Sequence, residues 1–407
     1  MSPGPVALPD GFERSPTRRQ IVLLAALSGF GPLSLDMYLP GLPSVTRELH
    51  SSASAGQLTI AACVLGLGLG QLLAGPWSDA LGRRRPLLTG LAAYAAASVA
   101  CGLAPSIAVL MVARLAQGMA GGAGIVIARA IVRDLSRPAT AARLFGLLAG
   151  ITGLAPVIAP LIGGQVLLFT SWRGVFVVLA ALGVVLLGCS AGLAGETLLP
   201  ADRESGELAS ILRVFGRLLR DRGYFASAAS FALSFAALFA YISGSPFVLE
   251  DIYGLSPQLF SVVFAANSTA IILCSLLAAR LTRRVPAPVL LRYGLGGVCA
   301  AGVGALVVCL TGASLGWLLA CFVVIAGANG LTLPTATAAA MGGEAGSLGA
   351  ASALLGLGQF GCGAAVAPLV GLAGRHSALP MGIVMAAAGA SALLVNLVLV
   401  PRGRPLR

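Results

Sequence analysis

The chain has 407 residues, of which 57% are hydrophobic and 10% charged, and its formal net charge is +12. Soluble proteins carry roughly 25% charged residues, so a water-soluble globule of this length is excluded. A nucleic-acid-binding surface is excluded by distribution: every basic residue is an arginine, and the arginines cluster between apolar stretches instead of lining one basic face.

The first apolar run follows Arg18 and Arg19 without a small-residue cleavage site, so it is expected to stay as the first helix. A bilayer core of roughly 30 Å takes about 20 helical residues. At that window the chain offers twelve spans, at approximately 20–44, 57–77, 87–104, 107–130, 144–169, 173–194, 224–248, 258–280, 288–311, 315–341, 352–374 and 378–400. The fold class this implies is an all-α membrane protein. The expected organisation is a tail (1–19), a six-helix bundle (20–194), a linker (195–223), a second six-helix bundle (224–400) and a short tail (401–407).

The arginines orient the spans. Arg83, Arg84 and Arg85, then Arg133, Arg137 and Arg143, then the linker arginines, then Arg283 and Arg284, fall on the side of both termini. The opposite side holds only Arg47, Arg173 and Arg375. Positive charge is retained in the cytoplasm, so both termini are expected there. In the linker, Leu208, Ile211, Leu212, Phe215, Leu218 and Leu219 recur at helical spacing with Arg213, Arg217 and Arg220 on another side, which predicts an amphipathic helix on the membrane surface. The segment Ile158 to Gly164 returns as Val366 to Gly371, a repeat that relates the two sets of six helices.

Several residues carry chemistry. Asp36 is an acid in an otherwise apolar span, which is costly and marks a functional site by default. Arg114 is its natural partner, because both lie about seven residues from the same membrane face, roughly 10 Å deep at 1.5 Å per residue. The pair is expected to take up and release a proton; a purely structural ion pair is the competing reading. Met37, Tyr38, Gln117, Tyr241, Asn267, Asn329 and Gln359 are candidates for a substrate cavity, though each can equally bond a neighbouring helix. Glu250 and Asp251 read as solvated acids at a helix end. Gly66, Gly68 and Gly70 read as helix-packing glycines. The cysteines (63, 101, 189, 274, 299, 309, 321, 362) lie in apolar stretches without C-x-x-C spacing, so buried hydrophobes are expected and no metal site. No lysine means no G-x-x-x-x-G-K-[ST] loop, so no ATP site and no cofactor are expected beyond a proton gradient.

Between spans two and three the chain reads Gly75-Pro76-Trp77-Ser78-Asp79-Ala80-Leu81-Gly82-Arg83-Arg84-Arg85-Pro86. This resembles the loop signature of the major facilitator superfamily, G-x-L-x-D-R-x-G-R-R, with Ala80 where a basic residue is usual and Trp77 where Leu is usual. Asp79, at a helix end, can accept from the N-terminus of a neighbouring helix while pairing with an arginine. Leu35 to Pro43, Arg114 to Gly118, Ala128 to Leu135, Ala155 to Gly164, Trp172-Arg173, and Met341-Gly342-Gly343 with Ala350 to Gly356 are together similar to the twelve-helix drug:proton antiporters, most of all the bicyclomycin/chloramphenicol-resistance (Bcr/CflA) group. The resemblance implies two pseudo-symmetric six-helix bundles around a central cavity. It further implies a proton-coupled exporter of small hydrophobic drugs in a bacterial plasma membrane, acting as a monomer and not as an enzyme. Gly75, Asp79, Gly82, Arg83, Arg84, Arg133, Asp134, Pro156, Pro160, Gly163 and Gly164 are then expected to gate it. An exporter or facilitator of a metabolite such as a sugar or amino acid is the alternative, since specificity lies in cavity side chains.

Overall fold

In the computed structural model the chain is helical, with no strand among the described residues, which are 16–136, 138–198, 203, 208–341 and 348–399. Most of both tails, most of 199–207 and the Gly342-Gly343 signature lie outside that set. The helices are α1 (Arg18–Asp36), α2 (Leu42–Glu48), α3 (Ala53–Leu81), α4 (Arg84–Gly102), α5 (Ile107–Leu135), α6 (Pro138–Phe169) and α7 (Trp172–Leu193). They continue as α8 (Leu208–Arg220), α9 (Arg222–Pro246), α10 (Pro257–Leu281), α11 (Ala287–Thr311), α12 (Leu315–Met341), α13 (Leu348–Val370) and α14 (Leu379–Leu399). Polar side chains start many of them: Ser52, Ser106, Ser171, Asp221 and Ser256 each accept a backbone N–H of the first turn.

Among the described residues, 11 helices are long and apolar enough to cross a membrane. The expected third span is α4, which is not among them: its 19 residues give about 28 Å of helix, and Arg84, Arg85, Thr89, Tyr94 and Ser98 dilute its apolarity. Leu103, Val112, Phe169, Val177 and Trp317 are exposed, as lipid-facing side chains should be. Two expectations change in detail. The first span is not one helix: α1 ends at Asp36, a 3-10 turn runs Leu39–Gly41, and α2 follows. Cys189 is exposed, whereas Cys63 and Cys101 are buried.

The packing pattern is itself two-fold. In the first set α3 packs on α5, α4 on α7 and α5, and α1 on α6 and α5. In the second set α10 packs on α12, α11 on α14 and α12, and α9 on α13 and α12, the same scheme with each helix replaced by its counterpart. The sets meet along two seams that are also counterparts, α3 with α13 and α6 with α10. Small residues make this possible where no hydrophobic effect drives helices together. Gly66 and Gly70 of α3 lie on the α5 backbone at Leu115 and Met119, and Gly118 and Gly122 of α5 lie on the α3 backbone at Cys63 and Leu67. Helix α8 lies against α9 and α13 with Phe215 buried and Arg217 and Arg220 exposed.

Candidate functional site

The end of α1 brings Asp36 to the middle of the first bundle, 4% exposed, and α5 brings Arg114, fully buried. They do not form an ion pair. Arg114 Nη1 donates to the Ser34 carbonyl at 3.1 Å and to Gln117 Oε1 at 2.6 Å. Its guanidinium lies 4.7 Å from the Tyr38 ring centroid and 5.6 Å from that of Phe176. Arg114 Nε and Nη2 are buried without a hydrogen-bond partner. Asp36 lies within electrostatic range of Arg114 and also of Tyr241 in the second bundle. An isolated buried charge costs several kcal/mol, so two such groups held close but apart form a poised arrangement.

Around them runs a polar network that sequence reasoning missed. Gln117 Nε2 donates to Ser98 Oγ at 2.8 Å and to the Tyr94 hydroxyl at 3.4 Å, and Tyr94 touches Ser34 Oγ. The Tyr38 hydroxyl bonds Thr59 at 2.9 Å. Tyr94 is the single polar aromatic of an Ala-rich span, and that was the available signal. Ser34 gave none.

The substrate-cavity candidates divide. Met37, Tyr38 and Gln117 are buried within the first bundle. Asn329 accepts from Ser234 at 2.8 Å and donates to the Ile325 carbonyl at 3.0 Å, tying α12 to α9. Tyr241 accepts from Asn267 at 2.8 Å and packs on Phe264 and Phe322 at 5.9 and 4.6 Å between centroids. Tyr241 is the one within electrostatic range of the other bundle, at Asp36, and Gln359 of α13 is half-buried. Phe360, against Gly68 of α3, and its neighbour Phe235 join them, unforeseen from sequence.

At the arginine-rich end the signature loop is a charge cluster. Gly82, at φ 89°, takes a conformation that side chains disfavour and turns the chain from α3 into α4. Arg83, with its side chain 2% exposed, pairs with Asp79 at 2.5 Å and Asp134 at 2.8 Å and donates to Ser78 at 2.8 Å. Burial opposes its charge, but the two carboxylates outweigh burial and raise its pKa. The acceptor for the α4 N-terminus is not Asp79 but Glu196, just after α7. It receives the N–H groups of Arg83 at 2.8 Å, Arg84 at 3.4 Å, and Thr197 and Leu198 at 3.1 Å. Burial works against its charge, and these N–H groups more than offset it and hold the carboxyl below the usual range. Thr197 donates to Asp134 at 3.1 Å, and Arg84 to the Ala191 carbonyl at 3.0 Å. Arg133 is exposed and stands outside the cluster.

At the far end the halves are locked to each other. Gln57 donates to the Ser243 carbonyl at 3.2 Å, Gln258 to that of Gly164 at 2.9 Å, Arg375 to that of Ser51 at 2.7 Å, and Ser54 to that of Pro368. Gly164 faces Ser261, Gly371 faces Ser54 and Gln57, and Gly163 faces the Met37 backbone. Pro156 and Pro160 lie within an unbroken α6. Along α3 the seam then parts: Gly68 meets Phe360, whereas Gly75, two turns on and on the same face, meets nothing within 4 Å, nor does Gly356 one turn from Phe360. The seam between the halves is shut at the far end and, at Gly75 and Gly356, parted toward the arginine-rich end.

The family model of the Major Facilitator Superfamily matches residues 24–368. The chain is 38% identical over 377 residues to the MFS-type transporter YdgK of Bacillus subtilis, covering 91% of this chain and 94% of that one. It is 28% identical over 368 residues to a bicyclomycin resistance protein homolog of Haemophilus influenzae, covering 90% and 92%. To multidrug resistance protein MdtL of Escherichia coli it is 29% identical over 250 residues, 61% and 63% of the two chains. In fold it is similar to a D-xylose-proton symporter (TM-score 0.74, 15% identity, 94% and 98% covered). It is also similar to an inward-facing bacterial homolog of the human lysosomal transporter Spinster (TM-score 0.70, 17% identity, 94% and 98% covered). The match across the chain and the paired six-helix architecture agree with the signature loop: the chain is a multi-pass membrane transporter of the major facilitator superfamily.

Proposed function

We propose that this transporter is a proton-coupled antiporter that exports small hydrophobic drugs of the bicyclomycin or chloramphenicol type from a bacterial cell. It works as a monomer in the plasma membrane, with both termini in the cytoplasm. The observation that carries the reading is the buried, unjoined Asp36 and Arg114, with Arg114 Nε and Nη2 free of partners. A protonated Asp36 leaves Arg114 to Gln117, Ser34 and the aromatic rings; an ionised Asp36 is drawn to the free guanidinium edge. Proton uptake and release at one carboxyl therefore favour two arrangements of α1 against α5, and substrate beside Tyr241 competes for the same space. Drug export is supported by the bicyclomycin-resistance and multidrug relatives and by the aromatic lining at Phe235, Tyr241 and Phe360. Under the positive-inside rule the arginine-rich end is cytoplasmic, so the open end faces the drug's source. A proton falling through 100 mV releases roughly 2.3 kcal/mol, enough at about 1.4 kcal/mol per tenfold for a gradient near fifty-fold.

The test is transport in proteoliposomes with an imposed pH gradient and a pH-sensitive dye inside. Asp36→Asn is expected to abolish gradient-driven drug movement and drug-driven proton flux while retaining drug binding. Undiminished, gradient-dependent transport by this variant would refute the assignment.

A further inference from the structure

Glu250 and Asp251 read from sequence as solvated acids at a helix end, and the fold places them otherwise. After Pro246, which has no N–H to continue the helix ladder, α9 widens into a π-helical turn, Phe247–Ile252. Phe247, Val248 and Leu249 are buried in the far-end seal, with Phe247 against Gly56 of α3. The turn carries the two acids to the seam between the halves. Asp251, its side chain 8% exposed, takes Arg47 of α2 at 2.9 Å. Its other oxygen, Oδ2, and Glu250 Oε1 are buried without a hydrogen-bond partner.

The surrounding charges do not balance them. The charged groups that act on Glu250 are Asp251 and Arg47, and Arg47 is already bound to Asp251. Glu48, next to Arg47 on α2, is held by Arg173 at 2.9 Å and by the Trp172 indole at 2.6 Å. Arg375 is engaged at the Ser51 carbonyl. Helix α10 presents uncharged Gln258, committed to Gly164, and no acid in its first turn. The shut seal thus brings two carboxylates to one arginine. Opening it would return both to water, where ionisation is cheap; closing it over an ionised Glu250, whose Oε1 is buried and whose side chain is half-buried, takes a surplus negative charge partly out of water.

We propose that Glu250 is a proton-binding site of the seal, occupied by a proton when the far end is shut and empty when it is open. The conformation that binds a proton more tightly is favoured by acid, so low pH drives the far end closed. The site is separate from Asp36 and does not rest on proton-coupled export: a proton taken here is returned to the side it came from and sets how readily that end shuts.

The experiment is hydrogen exchange on the full chain in lipid nanodiscs, where both faces share one pH. Peptides covering residues 51–57 and 247–261 are followed between about pH 5.5 and 8.5, with times scaled for the intrinsic pH dependence of exchange. The wild type is expected to gain seal protection on the order of tenfold per pH unit over part of that range, as for one linked proton. In the Asp36→Asn background, which removes the proton assigned to Asp36 above, Glu250→Gln is expected to be protected throughout and to lose the slope, whereas Asp36→Asn alone and Asp36→Asn with His50→Gln and His376→Gln keep it. A flat profile in Asp36→Asn would overturn the proposal, and so would a slope that survives when Glu250→Gln is added or vanishes with the histidines. Should Glu250→Gln fail to fold, the Asp36→Asn profiles with and without the histidines still decide.

Discussion

The two ends of the molecule are held by different chemistry. At the arginine-rich end, charge is concentrated inside the first half: Arg83 clasps Asp79 and Asp134, and Glu196 caps α4. At the far end the seam is stitched between halves by Gln57, Gln258, Ser54 and Arg375 on carbonyls, by glycine contacts and by the Arg47–Asp251 pair. Charge-assisted bonds are strong and geometrically strict, which suits a cluster that keeps one half rigid. Individually weak contacts suit a seam that must part, because many small terms can be exchanged for hydration without one large barrier. A transporter with alternating access needs both: rigid bodies and a separable joint.

Breaking the rigid cluster should have the largest effect. Arg83→Ala leaves the exposed Asp79 and the mostly buried Asp134 without their common cation; with Asp79 screened by solvent, the loss at Asp134 costs about 3 kcal/mol, the low end for a buried pair. Transport in vesicles is expected to fall to background with a lower melting temperature. Arg83→Lys should rescue only in part, since an ammonium cannot span the two carboxylates as a guanidinium fork does. The seam comes next. A Cβ at Gly371 would stand 2.5 Å from the Ser54 nitrogen and from Gln57 Oε1. Gly371→Val should destabilise the shut far end by about 1–3 kcal/mol, the usual range for overpacking, seen as faster hydrogen exchange at residues 51–57. If exchange there is unchanged, that contact does not hold the seam.

Smaller effects sharpen the contrast. Glu196→Gln should weaken the α4 cap by about 1 kcal/mol. Because the folded carboxyl lies below its ordinary range, the wild type's advantage is complete above the unfolded pKa near 4.5 and disappears as pH falls through the folded value. Melting curves of the two proteins should therefore converge in acid. The smallest change is expected for Gly75→Ala, where a Cβ meets nothing: stability should hold or rise slightly through helix propensity. Lost transport in that variant would show that Gly75 makes its close contact in the alternative conformation.

The spans and the repeat were legible because each is a property of a segment read alone. Asp36 and Arg114 were legible as buried charges for the same reason. That Asp79 would pair with an arginine was legible from its place beside the loop arginines; that the arginine is Arg83, shared with Asp134, came from the fold. What each side chain touches was not legible. Depth along a helix follows from residue count, so Asp36 and Arg114 could be placed at one level; their separation depends on how α1 and α5 are rotated, and Ser34 and Gln117 take the guanidinium instead. Glu196 and Glu250 look alike in the sequence, each an acid just beside a membrane span. Only packing makes one a helix cap and leaves the other with a buried, unpaired oxygen.

The sequence by itself determined that the chain crosses a membrane many times, in two related sets of helices with their positive loops on one side. A bilayer interior forces every backbone polar group into helices, so hydropathy and charge suffice. The tertiary structure alone decided which end is shut, which acids lie in the seam, and which polar groups share the core around Arg114. Those depend on the rotation and close approach of helices set by small residues on their faces, and composition carries no record of rotation.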